Sequence, residues 1–139
     1  MPSSELEARE AIRDVIARYA HAADTGRFEE LVTLFAEDGR LEIDGLPALH
    51  GRAAILDFLR QRKLPATPEA AGRFIRHHVS SVRIELSSHD AATAKSYFLA
   101  ITERGPDHWG VYRDRFVRSG ERWLFQVRRV KVDGRARAE

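Results

Sequence analysis

The second half of the chain alternates between apolar and polar residues from Arg73 onward, and this switch limits the fold more than any other feature. A period of two residues is typical of strands with one buried face. Four such runs follow one another, separated by Ser-Ser-His-Asp, Gly-Pro-Asp and Ser-Gly-Glu turns: Phe74 to Leu86, Ala92 to Glu103, Gly110 to Arg118 and Arg122 to Val132. Consecutive strands with short turns predict an antiparallel meander.

The first half of the chain has helical periodicity instead. A first helix is predicted from about Glu5 to Asp24, because Ser4 to Glu7 has the form of a capping box and Gly26 provides a stop signal. A short second helix is predicted over Phe28 to Phe35, and a third between Gly51 and Pro65. Helices followed by a meander predict an α+β domain whose helices pack on the concave face of a strongly curved sheet.

We expect residues 1–139 to form a single domain. A chain of 139 residues with 43% hydrophobic content suffices for one core and is short for two. The stretch from Leu64 to Gly72 is the most loop-like in the chain and is expected to act as a flap or connector. The polar residues 133–139 are expected to form a frayed tail.

The residue types present exclude several kinds of site. The chain has no cysteine, which rules out disulfides, thiolate nucleophiles and thiolate metal ligands. No His-x-x-x-His pattern occurs, so we expect no metal site. The apolar runs are short and the N-terminus is acidic and helical, which predicts a cytoplasmic protein without a signal peptide or a membrane partner.

Positive charge is concentrated in the second half of the chain. The formal net charge is only +2, yet the isoelectric point is near 9.3. Several of the arginines alternate with apolar residues, as solvent-facing strand positions do: the set comprises Arg113, Arg115, Arg118, Arg122, Arg128 and Arg129. No recognition-helix, ribonucleoprotein or zinc pattern accompanies them, so we expect no nucleic-acid partner.

One carboxylate interrupts the apolar stripe of the first helix. Ile12, Ile16 and Tyr19 recur at three- and four-residue steps, and Asp24 lies close to the same stripe. A buried carboxylate needs a hydrogen-bonding or charged partner, or its pKa rises. Two interpretations follow: Asp24 pairs with a histidine in the interior, or it only ends the helix before Gly26.

A set of short motifs resembles a known family. They are Tyr19 with Asp24-Thr-Gly-Arg-Phe, Leu34-Phe35-Ala36-Glu37-Asp38-Gly39, Arg76-His77-His78, Gly110-Val111-Tyr112-Arg113-Asp114-Arg115-Phe116, and Trp123 followed by Arg128-Arg129-Val130 and Asp133-Gly134. In this order and spacing they resemble the SnoaL-like proteins of the nuclear-transport-factor-2-like (NTF2-like) superfamily, over nearly the whole chain. The resemblance implies a cone-shaped fold, with three N-terminal helices on a strongly curved, mainly antiparallel sheet.

Within this superfamily the chain is most similar to the branch of lindane dehydrochlorinase, bile-acid dehydratase and scytalone dehydratase. The resemblance implies that Asp24 and His77 form a dyad in which the imidazole removes a proton and the carboxylate fixes its tautomer. It also implies that Tyr19 assists a leaving group or polarises a carbonyl, and that Arg128 stabilises departing negative charge. Tyr19 as a core aromatic and Arg128 as a structural residue are the alternatives.

The choice between two adjacent histidines stays open at this level. In simple alternation His78 shares a face with Ile84 and Leu86, whereas His77 shares one with Val79. A bulge in the strand would change this parity. We favour His77, because it follows an arginine as the histidine of the family does.

Three further residues are candidates for substrate binding. Tyr112 lies on the strand next to that of Arg128, and His78 and Tyr97 complete the set. The remaining histidines fall in or near turns, or on another azimuth of the first helix, and are expected at the surface: His21, His50, His89 and His108.

The resemblance, together with these residues, implies a small lyase or isomerase without a cofactor, of dehydratase, dehydrohalogenase or cyclase type, that acts on an apolar small molecule by proton abstraction. The alternative is a non-catalytic ligand-binding or structural domain, because a fold alone does not determine function. Epoxide hydrolases and ketosteroid isomerases of this fold use acids as the base, and their acid pattern is not evident. Uncovered apolar residues on one sheet face predict a homodimer or homotrimer.

Overall fold

The computed structural model of the protein describes residues 2–62 and 74–136. Within these residues the helices are α1 (Ser3–Asp24), α2 (Phe28–Val32) and α3 (Arg52–Gln61). The strands are β1 (Phe35–Ile43), β2 (Leu49–His50), β3 (Ile75–Leu86), β4 (Ala91–Thr102), β5 (Gly105–Ser119) and β6 (Arg122–Arg135). The predicted α+β class and the four-stranded meander are confirmed.

The strands form one sheet in the order β2-β1-β6-β5-β4-β3. β1 runs parallel to β6, and the other neighbouring pairs are antiparallel. Helix α1 packs against β3 and β6, on what we call the inner face of the sheet. The core on this face holds the fully buried Ile12, Phe35, Phe116 and Phe125. Burying side chains of this size contributes about 1.5–3 kcal/mol each, so this layer holds α1 against the strands.

Two helix ends differ from the prediction. Helix α1 begins at Ser3, directly after Pro2 and without a side-chain cap. The predicted capping box does not form, because the helix already includes the residue expected to cap it. Helix α2 ends at Val32, whereas Phe35 pairs with Phe125 of β6 and begins β1. Tertiary pairing overrides the local helical spacing here.

Strands β5 and β6 are longer than predicted. β5 begins at Gly105 instead of Gly110, and β6 continues to Arg135, so residues 133–135 belong to the sheet and not to the expected tail. A Cβ on Gly134 would lie 2.7 Å from the indole of Trp109. The lack of a side chain at Gly134 therefore allows Trp109 to pack across β6 and extends the pairing of the two strands.

The stretch from Leu64 to Gly72, predicted to be a flap or connector, lies outside the described residues. The single domain over residues 1–139 stays a prediction. No helix within residues 2–62 and 74–136 is long and apolar enough to cross a membrane.

A bulge in β3 determines which residues of this strand face inward. Ser80 lies opposite Tyr97 and Arg83 opposite Lys95, so positions 81 and 82 of β3 share the single position 96 of β4. Ser81 adopts a positive φ of 53° at this point. A bulge of this kind shifts the alternation by one residue. Odd-numbered positions therefore face inward before the bulge, and even-numbered positions after it.

Candidate active site

Asp24 is the last residue of α1, and its side chain turns toward the sheet. The helix ends here because the Thr25 hydroxyl donates to the carbonyl oxygen of His21 at 2.7 Å, and because Gly26 takes a φ of 71°, which favours glycine. The Asp24 residue is only 6% exposed. It therefore ends the helix and also carries a buried carboxylate that needs a partner.

That partner is His77 of β3, which contacts both carboxylate oxygens. Oδ2 of Asp24 accepts the backbone N–H of His77 at 3.0 Å, and Oδ1 lies 2.5 Å from the ring nitrogen Nδ1. With Nδ1–H donating to the carboxylate, the other ring nitrogen, Nε2, keeps a lone pair. The His77 side chain is 18% exposed. The ring is therefore largely enclosed without being sealed off from solvent.

A second imidazole lies beside His77. His77, Ala100 and His108 are directly opposite one another on three adjacent strands, and the small side chain of Ala100 leaves room between the rings. The two ring centroids are 6.0 Å apart, and both rings contact Phe98. Oδ2 of Asp107 lies 2.8 Å from Nδ1 of His108. The site therefore holds two histidine–carboxylate pairs.

His108 was expected at the surface, and the structure corrects this. The Gly-Pro-Asp segment was predicted to be a turn, but β5 already begins at Gly105, so His108 is a strand residue. It shares its parity with Tyr112 and Asp114, which face inward. Extending the alternation of β5 backward would have revealed it. The other three histidines are exposed, as expected: His21, His50 and His89.

A buried ion pair lies farther along the inner face. Arg128 of β6 is 0% exposed, and its Nε donates to Oδ1 of Asp114 at 3.1 Å, with Nη2 at 3.5 Å from Oδ2. Among the described residues, Nη1 of Arg128 has no hydrogen-bond partner. A buried donor without a partner costs about 1–3 kcal/mol. Nη1 is therefore a buried donor that no group in the described part of the protein satisfies.

Sequence reasoning missed Asp114, although a signal was present. Asp114 has the same parity as Tyr112 and Phe116, so the alternation of β5 already placed an acid among inward residues. Burial raises the pKa of Asp114 to about 6, although the guanidinium of Arg128 opposes this shift. The carboxyl group therefore titrates close to neutral pH.

Three aromatic rings surround the Arg128 guanidinium. Its Cζ lies 3.5 Å from the ring centroid of Tyr112, 4.2 Å from that of Tyr19 and 4.8 Å from that of Phe125. Such contacts contribute up to about 2 kcal/mol each when the cation is desolvated. Burial raises the pKa of Tyr19 and of Tyr112 more than Arg128 lowers it. Both phenols therefore stay protonated near neutral pH, and a protonated phenol can donate a hydrogen bond.

A line of rings connects the two ends of the site. The ring of Phe98 stacks on Tyr112 at 4.6 Å and contacts His77 at 6.5 Å. Tyr112 in turn contacts the Arg128 guanidinium. The inner face thus carries a histidine–carboxylate pair at one end and the Arg128 guanidinium with two neutral phenols at the other, with aromatic rings between them.

The structure brings five of the seven candidate residues together on this face: Tyr19, Asp24, His77, Tyr112 and Arg128. The other two lie on the opposite, outer face. His78 is exposed there, and Tyr97 is 48% exposed with its ring 5.9 Å from Nζ of Lys95.

A separate groove lies on the other side of the sheet. It has a volume of about 510 Å³, is located on the outer face, and does not include Asp24 or His77. Its lining is mainly cationic and contains no histidine, so the inner face is the better candidate for acid–base chemistry. Among residues 2–62 and 74–136, no group of three or more His, Asp or Glu side chains is placed to hold a metal ion.

Comparisons with known proteins agree with this architecture. The sequence profile of the SnoaL-like domain matches residues 4–129. An NTF2-like protein with a cystatin-like fold from Novosphingobium aromaticivorans is 30% identical, with 94% of this chain and 86% of that chain covered and a TM-score of 0.79. No protein of curated function matches the chain.

Two further solved structures are similar to the chain. A scytalone-dehydratase-like protein from Novosphingobium aromaticivorans is 28% identical, with 99% of this chain and 95% of that chain covered and a TM-score of 0.79. A protein from Catenulispora acidiphila, solved in complex with S-DNPA, is 28% identical, with coverages of 91% and 93% and a TM-score of 0.77. The helices on a curved, mostly antiparallel sheet have the NTF2-like, cystatin-like fold. The chain belongs to the family of SnoaL-like domains.

Proposed function

We propose that the protein is a small cofactor-independent lyase or isomerase that removes a proton from a carbon atom of a mostly apolar small molecule. The observation that carries this proposal is the two-point contact between Asp24 and His77. A catalytic base needs a fixed orientation and a free lone pair near neutral pH. The contact provides the orientation and leaves Nε2 of His77 without a hydrogen-bond partner among the described residues.

In the proposed step, Nε2 of His77 takes a proton from a carbon next to an activating group such as a carbonyl. The electron pair of the C–H bond moves toward that group, which becomes an enolate. In an elimination the pair then expels a leaving group from the neighbouring carbon, and in an isomerisation the enolate is protonated at another carbon. The Asp24 carboxylate and the C-terminal end of α1 stabilise the imidazolium that forms.

Arg128 and two tyrosines support the negative charge that develops in this step. Nη1 of Arg128 and the protonated phenols of Tyr19 and Tyr112 are donors on the same face as the base. Donors held in a buried site contribute on the order of 3 kcal/mol each to such a step, because they need no reorganisation. Asp114 and the surrounding rings hold the guanidinium in place.

His108 supplies the acid that loss of water requires. Hydroxide is a poor leaving group and needs a proton as it departs, whereas a halide or a phenolate does not. The rings of His77 and His108 are 6.0 Å apart, so they can face neighbouring atoms of one substrate. Asp107 orients the His108 ring through Nδ1. The two imidazoles thus divide the work of base and acid.

The relatives support this class of reaction without defining the substrate. The scytalone-dehydratase-like relative supports dehydration, and the complex of the Catenulispora protein with S-DNPA supports the binding of a small molecule. The aromatic rings that lie between His77 and Arg128 support a mostly apolar substrate with one polar group.

A nitrobenzisoxazole tests the proposal without the natural substrate. A base removes its single reactive C–H proton, the N–O bond breaks, and a coloured phenolate is released. We expect the protein to accelerate this reaction and His77→Ala to lower kcat/KM by about 100-fold or more. His78→Ala is the matched control, because it removes the adjacent imidazole from the outer face, and it should retain the wild-type rate.

Equal losses in the two variants, or a wild-type rate no higher than that of free imidazole, would contradict the proposal. The alternative of a non-catalytic ligand-binding or structural domain would then be preferred. Thermal unfolding of each variant separates a chemical effect from a loss of the fold, since His77 also contacts the end of α1.

A further inference from the structure

The groove on the outer face, which we call the basic groove, is separate from the candidate active site. It has a volume of about 510 Å³, within the range of small-molecule sites. Its lining includes two acidic residues, Glu85 and Asp114, and the Asp114 carboxylate is already paired with Arg128 on the inner face. The cations in the lining are Arg40, Arg83, Lys95, Arg113, Arg115 and Arg129.

Four of these cations form a row across the sheet. Arg83 of β3 lies directly opposite Lys95 of β4, Lys95 opposite Arg113 of β5, and Arg113 opposite Arg129 of β6. With strands about 4.8 Å apart, the row is roughly 14 Å long. Like charges directly opposite one another destabilise a sheet. The row of like charges therefore lowers the stability of the free protein, and an anion bound along the row would relieve the repulsion.

Carboxylates neutralise only the two ends of this row. Glu85 lies 3.5 Å from Arg83 at one end, and Glu42 lies 3.1 Å from Arg129 at the other. Between them, Lys95 and Arg113 have no carboxylate partner among the described residues. Arg115, the next outer-face position along β5, has none either. Three cations without a carboxylate partner among the described residues therefore lie together in the middle of the basic groove.

We propose that the basic groove binds a small molecule carrying two or more phosphate groups. Arginine forks match phosphate oxygens, and a lysine adds a compact charge between them. The length of the row suits several linked phosphates better than a single anion. A second copy of this face would instead bring like charges together, which disfavours it as the occupant.

Inorganic tripolyphosphate tests this site directly. We expect calorimetric titration at low ionic strength to show one binding site per chain, with much weaker binding of orthophosphate and a loss of affinity as salt is added. Arg113→Gln should weaken tripolyphosphate binding about tenfold or more, and Arg113→Lys should retain most of it. Arg18→Gln is the matched control, because Arg18 is an exposed cation on α1, paired with Asp14, far from the groove.

The stability of the free protein gives a second readout. Because removing one of several opposed cations relieves repulsion, Arg113→Gln should unfold at the same or a higher temperature than wild type while it binds less tripolyphosphate. A lower unfolding temperature would contradict the repulsion on which the proposal depends.

Three other outcomes would overturn the proposal. The first is equal loss of affinity in Arg113→Gln and Arg18→Gln, which would indicate general surface charge. The second is tighter binding of a single-stranded oligonucleotide than of tripolyphosphate, with affinity that rises with strand length, which would indicate nucleic acid. The third is a dimer in sedimentation that Arg113→Gln dissociates, which would place a second copy of the chain on this face.

Discussion

Asp24 accepts the backbone N–H of His77 at 3.0 Å and lies 2.5 Å from the ring nitrogen Nδ1 of the same residue. The contact joins the end of α1 to β3, elements that are far apart in the sequence. The backbone hydrogen bond holds the strand against the helix, while the ring contact holds the rotamer. One carboxylate thus determines both the position and the orientation of the imidazole, as a preorganised site requires.

Asp24→Asn separates these two effects. The amide oxygen can still accept the backbone N–H of His77, but the amide NH₂ then faces Nδ1 and favours the tautomer with the proton on Nε2. We expect the nitrobenzisoxazole rate to fall by about 100-fold or more, because the lone pair of Nε2 is lost. The ¹⁵N chemical shifts of His77 should show the change from Nδ1–H to Nε2–H. A wild-type rate with an unchanged tautomer would contradict the assigned role of Asp24.

His108→Phe tests the division of work between the two imidazoles. Phenylalanine preserves the ring contact with Phe98 but removes the proton donor. We expect dehydration of a β-hydroxy ketone to slow by about 100-fold, since hydroxide needs a general acid, while the ring opening of nitrobenzisoxazole changes by less than about threefold. Comparing the two substrates in one variant checks this. Equal losses on both would show that His108 acts only through packing on His77.

The buried Asp114 predicts a pH dependence of stability with a defined sign. Its folded pKa of about 6 lies above the ordinary value of 3.8, so the folded protein binds the proton more tightly. The stability that this group contributes is fully present below about pH 4 and is lost as the pH rises through about 6. The upper limit of the loss is about 3 kcal/mol.

Urea unfolding of wild type and Asp114→Asn across this range measures the effect. We expect the free energy of unfolding of wild type, relative to the variant, to fall between about pH 4 and about pH 7. The substitution also removes the partner of Arg128. This changes the free energy of unfolding of the variant by the same amount at every pH in the range, because the guanidinium stays charged. Asp57→Asn serves as a control, because Asp57 is an exposed residue of α3. If the difference in the free energy of unfolding between wild type and variant did not change with pH, Asp114 would have an ordinary pKa in the folded protein.

Much of the fold is predictable from the chain, because apolar spacing reports directly on burial. The four meander strands and the end of α1 at Asp24 follow from it. The exceptions have tertiary causes: Phe35 has helical spacing but pairs with β6, and β5 reaches back to Gly105 through its pairing with neighbouring strands. The local sequence pattern contains no information about these neighbouring strands.

The candidate site was predictable only in part. The carboxylate at the end of α1 and its partnership with a strand histidine followed from the helical stripe and the family resemblance. The choice of His77 over His78 depends on the bulge at Ser81, and no glycine marks that bulge in the sequence. His108 was missed because its strand begins earlier than the turn residues before it indicate. Both of these points depend on strand register, and register is determined by the pairing of neighbouring strands.

Substitutions at Ser81 test whether the bulge aims His77. Ser81 has a φ of 53°, a conformation that strains residues with a Cβ and strains β-branched residues most. We expect Ser81→Gly to keep activity and to gain up to about 1 kcal/mol in urea unfolding. Ser81→Val should lose about 2 kcal/mol or more and should lower the nitrobenzisoxazole rate, because β3 must shift to relieve the strain. Ser80→Val is the matched control, since position 80 is an exposed, regular strand residue, and equal effects at both positions would show that the bulge does not position the base.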